Sequence, residues 1–375
     1  MFKIYLTTDC NFKCEYCYQK GIKVAYMPRE ILFKAIDYIY LSNKRETTNI
    51  SFMGGEPLLC KQEIYDAVEY IENNYSNYKT KYHLTTNVSL VDEEFIEFAK
   101  NRIINVRMSI DTGSSFSLNK RVMKAGRSVF EKTIENAKKI KEAGILYSIR
   151  MTVTNDTCKY LTNSISQLYE LGFECFSIAY DVKAEFNEST EQEFAHEIDK
   201  LLDFYMSLAE KRERISIDII NAKIVAILAD EENRFAMCDA GDSQYCVMPD
   251  GSIYPCAFLI NDIDFRIGNI VEGIDQRKNK RMCQEKYSLE DPCKECCIRD
   301  ACHGMKCGYM NYLNTGYINI PSNMTCATER VMYNAVKRAV TNRVVSPKLL
   351  HDVAVALVES KIELSEAGKM YYMEN

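Results

Sequence analysis

Three cysteines crowd one short stretch near the amino end, Cys10-Asn-Phe-Lys-Cys14-Glu-Tyr-Cys17, directly after the apolar run 2–6. A loop this short can fold its thiolates onto three corners of a [4Fe-4S] cubane, which has four irons and normally takes four cysteines. No fourth cysteine lies close by in sequence, so one iron stays open to a small chelating ligand. A zinc knuckle or a disulfide competes with this reading, but zinc usually takes two close pairs, each C-x2-C.

The cysteines continue downstream. Of 16 in the chain, ten lie between Cys238 and Cys326; Cys60, Cys158 and Cys175 are scattered between the two groups. No export signal precedes them, because the apolar run is too short and the triad begins at once. A cytoplasmic location is therefore expected, where so many cysteines read better as metal ligands than as disulfides. The net charge of -6 and pI near 5.5 argue against a nucleic-acid or anionic-membrane partner. No apolar run approaches the roughly 18 residues that a membrane-spanning helix needs.

The 375 residues suffice for a large domain and a smaller one. Short apolar runs at 3–7, 49–53, 82–85, 105–110, 147–153 and 175–179 alternate with helical patterns at 28–41, 61–73, 91–99, 129–143 and 161–171. Such alternation predicts an α/β fold with a parallel sheet, and six repeats with right-handed crossovers can curl into a partial barrel. A long charged helix is expected over 188–213 and a mixed segment over 215–229. Residues 238–326 are short pieces broken by Gly, Pro, Asp and Cys, where metal ligation can supply folding energy that apolar burial cannot. Helical patterning returns at 331–344 and 348–364.

The triad resembles the signature of the radical S-adenosylmethionine (SAM) enzymes, and the resemblance implies a partial (β/α)6 TIM barrel. In that family the open iron binds the amino and carboxylate groups of S-adenosyl-L-methionine, and one electron releases a 5′-deoxyadenosyl radical. Met53-Gly54-Gly55-Glu56-Pro57 follows the second strand, where the family contacts the methionine amino group; Gly54, Gly55 and Glu56 are thus expected cofactor contacts. Thr86 and Asn87 end the third strand, and Ser109 and Asp111 the fourth, at the carboxyl ends where barrel ligands bind, although helix capping competes as an explanation. The family pairs a Ser at the Ser109 position with an Arg soon after, here Arg121, to hold the methionine carboxylate; Tyr16 matches the aromatic beside the adenine.

The downstream cysteines resemble the SPASM extension of peptide- and protein-modifying members, which carries two auxiliary [4Fe-4S] clusters, three clusters in all. Position by position, the first auxiliary cluster takes Cys238, Cys246, Cys256 and Cys307, and the second Cys293, Cys296, Cys302 and Cys326. Four residues, His303 to Lys306, stand where the family usually has three; Cys283 and Cys297 are spare, and structural zinc is the competing occupant. The expected division is a barrel over 1–232, a SPASM domain over 233–335 and C-terminal helices over 336–375.

Fully ligated clusters have no vacant iron and suit electron transfer, which favours an oxidative reaction. The layout resembles anaerobic sulfatase-maturating enzymes, yet these carry an Asp directly after the cysteine equivalent to Cys256, and here that residue is Ala257. The expectation is an oxidoreductase that matures a ribosomally made precursor peptide (RiPP) by a thioether or C–C crosslink, with ferredoxin or flavodoxin as electron donor. Formylglycine formation, small-molecule dehydrogenation and a zinc-stabilised binding protein are the alternatives. No N-terminal leader-binding domain fits before Cys10, so the leader is held by the chain's own surfaces or by a separate leader-binding protein. The general base is not identified; Tyr18, Tyr245 and Asp250 are open candidates.

Overall fold

A computed structural model describes residues 1–375 except 43–45, 103, 114–119, 125–129, 182, 212, 231–238, 288–292, 303–306, 343–344 and 374–375; for 285–287 only the backbone is described. Cys238 and His303 fall outside the described residues.

Six β/α units follow one another, the composition expected of a partial (β/α)6 barrel. They are β1 (Phe2–Thr7), α1 (Arg29–Ser42), β2 (Thr47–Gly54), α2 (Lys61–Asn74), β3 (Lys79–Thr86), α3 (Glu93–Asn101), β4 (Asn105–Ser109), α4 (Phe130–Glu142), β5 (Tyr147–Val153), α5 (Leu161–Glu170), β6 (Cys175–Tyr180) and α6 (Glu188–Glu210). Local chemistry sets several boundaries. Asp92 caps α3 by accepting from Phe95 N, and Asn187 caps α6 by accepting from Thr190 N. Gly144 takes a left-handed φ of 71° just past α4, where a side chain would be strained.

The chain packs as two compact units. The first holds residues 1–110, 119–150 and 239–285. Its parallel strands run β1–β2–β3–β4–β5, with Phe2 opposite Ile50, Ile50 opposite Tyr82, Leu84 opposite Val106 and Val106 opposite Tyr147. The core is made where these strands meet their helices: Ile4, Ile50, Phe52, Ile64, Val68, Phe95 and Val106 are wholly buried. On its other side β1 pairs in parallel with β8 (Tyr245–Val247), Lys3 lying opposite Cys246. β8 continues antiparallel to β9 (Ser252–Tyr254), and the short β10 (Gly268–Asn269) and β11 (Gly273–Ile274) follow. The first part of the cysteine-rich stretch is therefore an extension of the sheet and shares the core of the amino-terminal strands.

The second unit holds residues 111–118, 151–238 and 286–375. Here the mixed segment expected at 215–229 is a two-residue strand, β7 (Ser216–Ile217), parallel to β6, and a helix, α7 (Asp218–Leu228). The tail contains three helices, Asn323–Thr341, Pro347–Glu359 and Glu366–Met373. The first begins earlier than its apolar pattern indicates, because Ser322 accepts from Thr325 N and places Cys326 in the opening turn. Pro347 opens the second at a position where the missing amide is harmless.

Candidate active site

The triad loop leaves the carboxyl end of β1 and is held on three sides. Asp9 accepts from Cys10 N at 2.9 Å, from the Tyr26 hydroxyl at 2.8 Å and from Lys124 Nζ at 2.6 Å. Those contacts, Lys124 foremost, hold the Asp9 carboxyl below its ordinary range. Lys13 N donates to Val122 O and Lys124 N to Asn11 O, so the loop runs antiparallel to the segment around Arg121. Arg121 stacks its guanidinium over the Tyr16 ring, 5.3 Å from the centroid. Two residues assigned to opposite ends of S-adenosylmethionine are thus brought together.

The turn after β2 lies directly on the triad loop. Gly55 N donates to Thr7 O at 3.0 Å and Glu56 N to Asp9 O at 2.9 Å. A Cβ on Gly54 would stand 2.3 Å from Thr7 O and one on Gly55 2.2 Å from Asp9 O, so only glycine allows the approach. Glu56 is buried, and its carboxylate accepts from Leu58 N at 3.0 Å, Thr86 Oγ1 at 2.7 Å and Asn87 N at 2.7 Å. Burial pushes its pKa up to about 7 against the lowering pull of those donors. Asn87 then reaches back with Nδ2 to Asn11 Oδ1 at 2.8 Å and toward Cys10 Sγ at 3.9 Å. Gly54, Gly55, Glu56, Thr86 and Asn87 thus form one network around Cys10. Ser109 closes β4 opposite Arg150, and Asp111 Oδ1 accepts from Thr152 N at 2.9 Å.

Cys10, Cys14 and Cys17 are close enough that the last two add to the upward shift of the first; burial is the larger cause, and the Cys10 thiol is pushed up to about 12. No described cysteine is in a disulfide.

Cys246 and Cys256 also come together. Cys246 is wholly buried, its thiol pushed up to about 12 mainly by burial and further by Cys256. Ala257 follows in a short 3₁₀ turn, Ala257–Leu259, and Phe258 meets the Tyr18 ring edge-on at 5.2 Å. The Tyr18 hydroxyl sits 3.1 Å from that of Tyr5, a pairing that sequence reasoning missed. Of the other open candidates for the base, Tyr245 donates to Gly241 O, and Asp250 accepts from Ser252 N and Oγ; both serve their own turns.

In the second unit Cys293, Cys296, Cys302 and Cys326 line one cavity of about 270 Å³, with the spare Cys297 also on its wall. Cys293 and Cys326 are raised mainly by burial, each with a further contribution from Cys296. Among the described residues no three His, Cys, Asp or Glu side chains converge as ligands of a single ion would. In a cubane each thiolate binds its own iron, so convergence on one point is not required. Cys307 begins the helix Gly308–Thr315, and the spare Cys283 is buried near Tyr245 in the first unit.

Comparison with known proteins agrees with this fold. A cysteine-type anaerobic sulfatase-maturating enzyme of Clostridium perfringens is 24% identical over 318 residues, 80% of this chain and 86% of that protein. The solved structure of native anSMEcpe with bound AdoMet and Cp18Cys peptide superposes with a TM-score of 0.77 at 22% identity, covering 92% of this chain and 98% of that one. Streptococcus suis SuiB bound to precursor peptide SuiA gives a TM-score of 0.63 at 17% identity over 87% of this chain and 75% of that one. Residues 4–158 match the radical SAM superfamily, a family that implies a [4Fe-4S] cluster and S-adenosylmethionine. With the thiol triad seated just past the first strand of that match, residues 4–158 are a radical SAM domain, and the chain is an enzyme.

Proposed function

We propose that this enzyme matures a ribosomally made precursor peptide, forming an oxidative thioether or C–C crosslink. When bound, the N-terminal cluster supplies the electron that turns S-adenosylmethionine into a hydrogen-abstracting radical, and auxiliary clusters accept the electron that the product must lose. Cys10, Cys14 and Cys17 would hold the first cluster. Gly54, Gly55 and Glu56 would face the methionine amino group, Ser109 and Arg121 its carboxylate, and Tyr16 the adenine, with Thr86, Asn87 and Asp111 completing the cofactor wall. Cys246 and Cys256, with Cys238 and Cys307, would hold one SPASM cluster, and Cys293, Cys296, Cys302 and Cys326 the other. The division into 1–232, 233–335 and 336–375 belongs to the same reading.

One observation carries the choice of reaction. Ala257 follows Cys256 where the resemblance puts the aspartate base of formylglycine formation, and its neighbour Phe258 packs on the Tyr18 ring. Crosslinking balances without one: a substrate hydrogen leaves with 5′-deoxyadenosine, the thiol proton goes to water, a C–S bond forms, and one electron departs. The substrate peptides in the anSMEcpe and SuiB structures support a peptide substrate. A ferredoxin or flavodoxin donor, a separate leader-binding protein and a cytoplasmic setting complete the proposal; no helix of the described residues is long and apolar enough to cross a membrane.

Formylglycine formation with a different base is the second reading, favoured by the similarity to sulfatase maturases. Mass spectrometry separates the two. The reconstituted enzyme is incubated without oxygen with a cysteine-containing precursor peptide from the same gene neighbourhood and with a sulfatase-type cysteine peptide. Loss of a hydrogen pair from the precursor supports crosslinking. Replacement of the sulfatase peptide's thiol by an aldehyde, with the precursor unchanged, overturns it.

A further inference from the structure

α7 reads Asp-Ile-Ile-Asn-Ala-Lys-Ile-Val-Ala-Ile-Leu, apolar beyond its first turn except for Lys223. That side chain is only 2% exposed. An ammonium so deep costs several kcal/mol unless it is paired and hydrogen-bonded. Its Nζ donates to the main-chain oxygen of Ala301 at 2.8 Å and to Glu329 Oε2 at 2.5 Å.

Both partners belong to the four-cysteine cavity. Ala301 immediately precedes Cys302. Glu329 stands one helical turn beyond Cys326 and lines the cavity, as does Arg330. A single buried cation therefore joins two of the segments that carry the cavity's thiols. A cubane closed by four thiolates is formally dianionic when oxidised and trianionic when reduced. In a poorly hydrated interior a nearby cation favours the reduced form and a nearby carboxylate the oxidised form.

We propose that Lys223 and Glu329 set the reduction potential of a cluster held by Cys293, Cys296, Cys302 and Cys326. Lys223 acts as a positioning residue, drawing the Ala301 carbonyl and the Glu329 carboxylate onto one ammonium. The proposal rests on the reading that this cavity holds a cluster.

The test uses the full chain, reconstituted without oxygen and titrated potentiometrically with EPR detection. The signal followed is the one lost in Cys326→Ala. Lys223→Met is expected to lower the midpoint so that the oxidised-to-reduced ratio at fixed potential rises about tenfold, about 59 mV for one electron. Glu329→Gln keeps the buried cation with a neutral acceptor; it is expected to load iron like the parent and to shift the midpoint upward by a comparable factor. Opposite signs in the two variants are what a purely structural tie does not give. If Lys223→Met fails to fold, the upward shift in Glu329→Gln decides. An unchanged or lowered midpoint in Glu329→Gln, or an unchanged or raised one in a folded Lys223→Met, overturns the proposal while leaving the cluster in place. If Cys326→Ala removes neither iron nor any EPR signal, the cluster reading fails and this proposal falls with it.

Discussion

The main-chain amide of Asn87 donates to Glu56 Oε2 across 2.7 Å, joining the turn after β2 to the end of β3 beside Cys10. Three donors meet one buried carboxylate here, so Glu56→Ala leaves Leu58 N, Thr86 Oγ1 and Asn87 N without it. The expected loss is about 3 kcal/mol or more, read from denaturant unfolding of the metal-free protein, together with weakened S-adenosylmethionine binding by calorimetry in the loaded protein.

The same carboxyl gives a pH signature. Its folded pKa is raised by burial from an ordinary 4.5 to about 7. The protonated form is therefore favoured by folding; that contribution is complete below about 4.5 and is lost as pH rises through about 7. Across that interval the melting temperature of the metal-free protein is expected to fall relative to Glu56→Gln. Parallel curves for the two proteins contradict the assigned burial.

Gly55→Ala tests the close approach of the two loops. Its Cβ meets Asp9 O at 2.2 Å, a backbone atom that moves only if the triad loop moves. A loss of about 1–3 kcal/mol is expected from the forced overlap, with reduced iron retention after desalting. Full iron retention at unchanged stability shows that the loops are not in contact.

Iron and sulfide analysis addresses the number of clusters. Three cubanes require about twelve irons per chain, and Cys246→Ala or Cys302→Ala is expected to remove about four of them. Zinc in either cysteine-rich region removes the auxiliary clusters from the account.

The strands β1 to β6 were legible because short apolar or alternating runs are each followed by a helical period, although β3 offers only Tyr82 and Leu84 as apolar residues. β8 was not: three residues carry no period, and Tyr245–Val247 pairs both with its neighbour β9 and with β1 from the far end of the chain. The same pairing explains why residues 239–285 pack with the first unit. Cysteine positions could be read directly, since residue type alone marks them. The Glu56 network could not, because sequence identifies an acceptor but not which amides turn toward it. Lys223 did carry a signal, a lone cation within an apolar helix, but its partners lie on segments that only the fold brings to it.

The central claim is that Cys10, Cys14 and Cys17 leave one iron free to bind and reductively cleave S-adenosylmethionine. The direct measurement is production of 5′-deoxyadenosine by the reconstituted protein under dithionite, without oxygen, compared with a Cys10→Ala, Cys14→Ala, Cys17→Ala variant. The account predicts cleavage by the parent and none by the variant, while the variant keeps the irons of the auxiliary sites. Equal 5′-deoxyadenosine from both proteins would contradict it.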